Sequence, residues 1–377
     1  MITGMDSFQE AIHTVRCEQP ESEVWRHLGL LATPSYAAAA PRQLFKDSLG
    51  NRLIADKLDG FAKCILQARE YFEASRSVTI ATAPTLCYYG RVSLCAAVAI
   101  FRGRDVTLRS LPKSHGLTTD DLASCRDVLD AACRVDSSGV FPLIGALGLP
   151  EYCTYERWLP PSDQYIPVGP AHFAVALHRE NSWLTRAADT KLVLRDLLSR
   201  LPDIGFEAWT HPGIRLSALA CTVSLERMDE RPVTSARFRI HCDDAEQADR
   251  LLEMMRASYP AWHHVAGEGG IHEFRTGDVP DPFAEPCPPL RDSTSGDTFV
   301  VLPGIQGTPV MPELLDWLAA GFITGSLTRY YPQVWLGRSR LKPETGLLTE
   351  RFARTAPRRF PNLVLNLLYG RLFRFTS

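Results

Sequence analysis

The sequence predicts a mainly α fold, in which N- and C-terminal helices form one helical bundle around a smaller central α+β insertion. Apolar residues recur at spacings of three and four in both outer parts of the chain, a pattern typical of helices with one buried face. Alternation of apolar and polar residues, typical of half-buried strands, appears in the middle. We therefore predict an N-terminal helical region (1–140), a central α+β region (141–305) and C-terminal helices (306–377) that pack on the N-terminal region.

The composition is ordinary for a soluble globular protein, because 45% of the 377 residues are hydrophobic and 22% are charged. The formal net charge of −2 gives no argument for nucleic-acid binding by the molecule as a whole. The ten cysteines include no C-x-x-C pair, which favours reduced thiols and predicts no metal site. Since we find neither a signal sequence nor a run of 18 apolar residues, we expect a cytoplasmic protein without membrane contact. We also expect no cofactor.

Two helices in the first third of the chain organise the predicted fold. The first covers Leu58–Ala74 and has one apolar face. The second opens at Pro84 and runs over Thr85–Phe101; it is apolar on nearly all sides, so we expect it to be buried. Gly90 lies in its middle, where glycine destabilises a helix by about 1 kcal/mol relative to alanine. We attribute this glycine to the close approach of another helix.

A polar, basic loop from Arg102 to Leu117 follows the second helix, and a third helix is expected after it. Thr118 or Thr119 caps this third helix in our prediction. Its buried stripe comprises Leu122, Cys125, Val128, Leu129 and Ala132.

The central region is expected to combine short helices and strands. We predict a brief helix within Thr185–Leu201, and an amphipathic helix that Asp243 or Asp244 caps. The expected strands are Ile214–Leu225, Ala236–Cys242 and Thr298–Leu302. The stretch Gly277–Gly296 is rich in Pro, Asp, Ser and Gly, which predicts an exposed loop.

The last part of the chain is predicted to be helical again. Pro312 opens one helix, which should stop at Pro332, and Pro361 opens a final one. From Arg329 to the end, arginine and lysine outnumber the acidic residues by ten to two. This local basic bias makes the C-terminal part a candidate for phosphate binding.

Three short segments are the most specific features of the sequence. They are Tyr88-Tyr89-Gly90, Ser114-His115-Gly116-Leu117 and the segment from Ser326 to Trp335. Together they resemble the YaaC-like family of bacterial proteins, and Trp25 with Leu28 fits the same pattern. This resemblance carries little information about activity.

The first two segments are also similar to HEPN domains, which are helical bundles found in RNases, toxin–antitoxin pairs and phage-defence proteins. Catalytic HEPN domains carry an arginine, then four to six residues, then a histidine. Arg109 and His115 have five residues between them, so the resemblance implies a metal-independent RNase with these two catalytic residues. Pro112 lies between them, which predicts that both lie on a loop.

In such an RNase, His115 would move protons at the ribose hydroxyl and Arg109 would stabilise the charge of the phosphorane. The alternative is that His115 is structural and fixes the loop through backbone carbonyls ahead of Gly116. The candidates for ligand or phosphate binding are Arg104, Lys113, Arg329, Tyr330 and Trp335. The alternative for the last three is a helix end that packs on the bundle.

Other reaction classes lack support in the sequence. There is no G-x-S-x-G nucleophile motif and no G-x-x-x-x-G-K-[ST] phosphate loop. The segment from Gly267 to His272 begins as G-x-G but lacks the third glycine of a dinucleotide-binding turn. His263, His264 and His272 have no carboxylate or cysteine at ligand spacing, so we predict no metal site there.

The sequence therefore favours a non-catalytic binding or scaffold protein, with a HEPN-like, metal-independent RNase of phage defence or a toxin system as the alternative. The partners expected for either protein are RNA or a nucleotide, a protein, or a second copy of this chain.

Overall fold

Helices and several sheets make up a helix-rich fold in the computed structural model, which describes residues 12–33, 51–158, 173–177, 188–227, 234–277 and 287–376. The longer helices are α1 Pro20–Leu31, α2 Asn51–Arg76 and α3 Ala83–Arg102. The central helices are α4 Val140–Gly145, α5 Leu194–Ser199, α6 Gly205–Thr210 and α7 Ala245–Ser258. The last helices are α8 Glu313–Tyr330, α9 Pro332–Leu341 and α10 Pro343–Tyr369.

The strands of the described ranges form three sheets. The first pairs β1 (Ile12–Arg16) with β13 (Leu372–Thr376) in parallel. The second contains β2 (Leu117–Thr119), β3 (Ala132–Val135) and β6 (Lys191–Val193). The third has the order β11-β12-β7-β8-β10-β9, with β4 beside β7 and β5 beside β4. Its strands are β4 Glu151–Trp158, β5 Phe173–Leu177, β7 Ala218–Arg227, β8 Thr234–His241, β9 Trp262–Glu268, β10 Ile271–Thr276, β11 Leu290–Asp292 and β12 Thr298–Val301.

Helix α3 is the centre of the bundle, and helices from both outer parts of the chain pack on it. The prediction for Gly90 is confirmed, because a Cβ atom there would lie 2.8 Å from the Phe72 ring of α2. On the other side, a Cβ atom at Gly325 of α8 would lie 3.1 Å from the Cβ of Tyr88. By length and composition α3 could cross a membrane, but 72% of its most apolar window is buried, as in the core helix of a soluble protein.

The last long helix begins earlier than the sequence suggests. We predicted a start at Pro361, whereas α10 runs from Pro343 to Tyr369 with Pro357 and Pro361 inside it. A proline removes the hydrogen bond to the carbonyl four residues earlier, which for Pro357 is that of Ala353. The Cys87 thiol of α3 donates to this carbonyl at 3.6 Å. Packing against α3 therefore supplies a partner for the carbonyl that the proline leaves without one.

The predicted third helix is wrong. Strand β2 begins at Leu117, a single 3₁₀ turn covers Val128–Asp130, and strand β3 follows at once. The Asp127 carboxylate accepts a hydrogen bond from the Leu129 N–H at 2.9 Å, which closes this turn locally. Apolar residues three or four apart over so short a stretch do not distinguish a helix from turns beside a buried strand.

The central predictions are mostly confirmed. Strands β7, β8 and β12 lie at the three predicted places, and Asp244 caps α7 by accepting the Gln247 N–H at 2.8 Å. The brief helix within Thr185–Leu201 is only Leu194–Ser199, since a strand precedes it. The loop predicted at Gly277–Gly296 is wrong over Leu290–Asp292, which is a buried strand; residues 278–286 lie outside the described residues.

Two hydrophobic clusters lie among the described residues. The larger cluster joins α1, α2 and α3 to α8 and α10, so these N- and C-terminal helices share one core. The smaller cluster lies between α7 and the third sheet. The residue boundaries of the three regions stay a prediction.

Candidate functional site

The three specific segments of the sequence meet at one place in the structure. The His115 ring centroid lies 5.3 Å from that of Tyr88 in α3 and 5.9 Å from that of Phe322 in α8. The Tyr88 and Phe322 rings lie 5.7 Å apart. The end of the basic loop therefore docks where α3 and α8 pack on each other.

Backbone hydrogen bonds hold the His-Gly segment in place. The Val140 and Phe141 N–H groups of α4 donate to the carbonyls of Ser114 and His115, at 3.1 and 2.9 Å. Gly116 has a φ of 77°, a left-handed conformation that favours glycine, and it packs against α4. The structural alternative placed these bonds on the His115 ring, but the backbone of the segment makes them.

The His115 ring is half-buried, and no hydrogen bond to it is found within the described ranges. Burial lowers the pKa of His115, and the positive charge of Arg329 lowers it further. The imidazole is therefore mainly neutral at pH 7, and the Arg329 guanidinium lies near it. Both effects oppose protonation of the ring, and the Tyr88 and Phe322 rings pack against it.

Beside His115, four side chains form a stack that we call the aromatic–arginine surface: Tyr71, Tyr89, Arg329 and Tyr330. The Tyr71 and Tyr89 rings stack at 5.6 Å, and the Arg329 guanidinium lies 5.6 Å from the Tyr89 ring and 4.3 Å from the Tyr330 ring. Arg329 also donates to the Tyr89 hydroxyl, while its buried Nε has no hydrogen-bond partner in the described part of the chain. Tyr330, at the outer end, is 62% exposed.

Arg109 lies well away from His115 along α3. Leu108, the residue before it, packs beside Gly60 and Ile100, whereas His115 packs on Tyr88. Twelve residues of helix separate Ile100 from Tyr88, which corresponds to about 18 Å. The two predicted catalytic residues therefore lie beside different parts of α3, and their catalytic roles stay a prediction.

The remaining predicted residues divide into two groups. Arg104 and Lys113 are exposed on the loop, and their side chains have no ion-pair partner within the described ranges. Trp335 is buried instead, and its indole N–H donates to the Ile80 carbonyl at 3.0 Å. This position fits the packing of a helix end and leaves Trp335 no exposed face for a ligand.

Metal-binding clusters are not found among the described residues, since no group of three His, Cys, Asp or Glu side chains comes together there. No disulfide forms among the described cysteines, and burial raises the pKa of Cys64 to about 11. Such thiols are not activated for nucleophilic attack.

An open groove between the bundle and the third sheet was not predicted from the sequence. It has a volume of about 800 Å³, and two exposed aromatic side chains of α6, Phe206 and Trp209, lie along it. The only sequence signal is a pair of large aromatic residues three apart, just after Pro202 and Gly205. Outside a long amphipathic helix, this spacing does not indicate exposure.

Comparisons with known proteins give one result. No curated protein and no solved structure matches the chain. The model of the YaaC-like protein family matches residues 46–368, a range that includes the three segments that meet at His115. Because this match covers most of the chain, the protein belongs to the YaaC-like family.

Proposed function

We propose that this chain is a non-catalytic binding protein, and that its aromatic–arginine surface holds single-stranded RNA. The observation that carries the proposal is the position of Arg329 between the Tyr89 and Tyr330 rings, with the outer ring open to solvent. An exposed aromatic face stacks on any unpaired base, and a neighbouring arginine supplies charge for the phosphate.

The basic loop supports the same ligand. Arg104, Arg109 and Lys113 are exposed on the loop that ends at His115, and Asp105 is the one acidic residue between them. They extend positive charge from the aromatic–arginine surface along α3. Phosphate contacts of this kind contribute affinity without sequence specificity.

The geometry around His115 supports binding rather than catalysis. The half-buried ring packs against Tyr88 and Phe322, while the loop before Arg109 packs beside Gly60 near the other end of α3. A general base has to reach the proton that it removes, directly or through one water. Packing of His115 between two aromatic rings favours a structural role for this side chain.

One observation favours a HEPN-like, metal-independent RNase of phage defence or a toxin system as the second candidate. The charge of Arg329 acts on His115 and lowers its pKa, so a neutral histidine and an arginine lie near each other. In this alternative Arg329, or an arginine from a second copy of the chain, takes the role that the sequence suggested for Arg109.

The test of binding uses fluorescence anisotropy with a labelled, unstructured RNA dodecamer. We expect Tyr330→Ala to weaken binding about tenfold, because stacking of one base on an aromatic side chain contributes about 1–3 kcal/mol. Tyr330→Phe is the matched control, since it keeps the ring, and it should bind like the wild type. Absence of binding by the wild type, or equal binding by Tyr330→Ala, would remove the proposal.

The test of catalysis incubates the same RNA with the wild type and with His115→Ala in the presence of a chelator. We expect intact RNA in both reactions. Cleavage by the wild type that is lost in a folded His115→Ala variant would replace our proposal with the RNase alternative.

A further inference from the structure

The groove between the bundle and the third sheet has the features of a second binding site. Helices α6 and α10 form one wall, and the start of α7 with strands β7 and β12 forms the other. Its volume of about 800 Å³ lies within the range of ligand sites, about 300–1,000 Å³. Such sites occur preferentially where two packed units of a fold meet.

The wall at α6 presents two large aromatic side chains to solvent. Phe206 is 70% exposed and Trp209 is 69% exposed, and their ring centroids lie 6.3 Å apart. They are three residues apart on one helical turn, so both point to the same side. Aromatic residues in this position supply contact area and an electron-rich face for a ligand.

The charges of the groove have an acidic surplus. Three arginines and five acidic residues line it. Two of the acids already have arginine partners, because Glu207 lies 3.6 Å from Arg351 and Asp203 lies 3.1 Å from Arg359.

The acids without a cation are concentrated on the wall opposite α6. Three acidic residues of the groove have no ion-pair partner within the described ranges: Asp243, Asp244 and Asp297. Among the arginines that line the groove, Arg358 alone has no acidic partner within those ranges. Arg215 is paired with Glu246 and adds no free charge. The groove therefore offers aromatic faces on one side and uncompensated carboxylates on the other.

We propose that this groove binds a basic peptide segment of a protein partner. A lysine or arginine side chain of that segment lies over the Trp209 and Phe206 rings, and its charge faces Asp243 and Asp297. A cation over an aromatic face is attracted by the ring, and nearby carboxylates add to that attraction. Nucleic acid is disfavoured here because its phosphates would meet the acidic surplus.

This inference is independent of RNA binding, because the aromatic–arginine surface shares no residue with the groove. Together the two sites would let one molecule hold an RNA and a basic protein segment at the same time. Tyr330→Ala should accordingly leave peptide binding unchanged, and changes in the groove should leave RNA binding unchanged.

The test measures fluorescence anisotropy with a labelled nonapeptide that alternates arginine with glycine, and with a matched peptide that carries glutamate in place of arginine. We expect the arginine peptide alone to bind, and Trp209→Ala to weaken it about tenfold through the loss of cation–π attraction. Asp243→Asn combined with Asp297→Asn should weaken it about threefold or more, and the wild-type affinity should fall as salt is added.

The matched control is Leu347→Ala, because Leu347 is 64% exposed on α10 but does not line the groove. Each variant is checked for an unchanged melting temperature, which we expect since all these side chains are exposed. Three results would overturn the proposal: no binding of the arginine peptide, equal binding of both peptides, or an unchanged affinity in Trp209→Ala. RNA binding that depends on Trp209 would also overturn it, because the groove would then hold nucleic acid.

Discussion

Buried arginines occur in two contrasting environments in this molecule. Arg200 and Arg291 both reach the Asp316 carboxylate, at 2.8 and 2.7 Å, and Arg359 reaches Glu313 at 2.6 Å. Arg91 is equally buried, but none of its three guanidinium nitrogens has a hydrogen-bond partner in the described part of the chain. Its guanidinium lies 4.7 Å from the Phe352 ring and 5.6 Å from the Trp317 ring.

The difference follows from where each arginine lies. Arg291 is on β11, and its guanidinium also donates to the carbonyls of Arg200 and Met311, at 2.8 and 2.7 Å. It thereby connects the third sheet to the helices of the larger hydrophobic cluster. Arg91 lies among the helices of that larger cluster. At the junction between the third sheet and the larger cluster, carboxylates therefore surround the arginines, whereas within the described ranges Arg91 has aromatic rings beside it and no carboxylate partner.

The surroundings shift the pKa of Arg91 and that of Arg359 in opposite directions. Burial lowers the pKa of Arg91 to about 10, since no carboxylate of the described residues opposes the desolvation. The pKa of Arg359 is raised, since the nearby Glu313 and Asp203 carboxylates outweigh its burial. A buried charge is tolerated at the junction because its partners are buried with it.

The largest effect is expected from Arg291→Ala. Removal of this guanidinium leaves Asp316 with one arginine partner fewer and leaves two buried carbonyls without its hydrogen bonds. The free energy of unfolding should therefore fall by about 3–5 kcal/mol. Urea denaturation followed by circular dichroism measures the loss. Arg134→Ala is the matched control, because Arg134 pairs with Asp120 at 2.9 Å on the surface, and its loss should be below about 1 kcal/mol. A similar loss of unfolding free energy in both variants would contradict the idea that the buried arginines at this junction stabilise the fold more than a surface ion pair does.

A gain in stability is expected from Arg91→Met. Methionine keeps much of the side-chain length and removes a charge that has no carboxylate partner, so the free energy of unfolding should rise by about 1–3 kcal/mol. The same urea titration measures it. Arg91→Lys keeps a buried charge and should give no gain. A destabilised Arg91→Met variant would mean that the Phe352 and Trp317 contacts outweigh the cost of desolvation.

The smallest effect concerns Asp292, which borders the junction and lies 3.4 Å from Arg374. Burial raises its pKa from 3.8 to about 7. The folded protein therefore holds this proton over a range in which the unfolded chain has lost it, and stability falls as pH rises between these two values. From pH 5.5 to 6.5 the fall should reach about 1.4 kcal/mol, and Asp292→Asn should flatten it. Equal slopes in both proteins would exclude Asp292 as the cause.

The apolar spacing after Pro84 and Pro312 was enough to predict the helices there, because helical periodicity over many residues is a strong local signal. The strand around Leu290–Asp292 was missed for the opposite reason. Arg291 and Asp292 look like surface residues when read alone, and their burial depends on Asp316, Glu151 and Arg374, which lie far away in the sequence. Local patterns contain no information about such partners.

The candidate sites show the same limit. Residues of all three specific segments were singled out from the sequence, yet the contacts of Tyr88 with His115 and of Tyr89 with Arg329 depend on tertiary packing. The spacing of Arg109 and His115 suggested a pair, whereas the chain places Arg329 nearer to His115. The groove depends on how α6 faces the third sheet, and no short motif encodes that arrangement.

The position of α3 has a consequence for how this protein forms during translation. The ribosome releases α3 long before α8 and α10, whose side chains cover much of its surface in the finished molecule. Until then the faces of this almost wholly apolar segment that α8 and α10 cover later are exposed, and such exposed segments associate with other chains. We expect the nascent chain to need chaperone protection, and slower elongation at low temperature to improve the yield of soluble material.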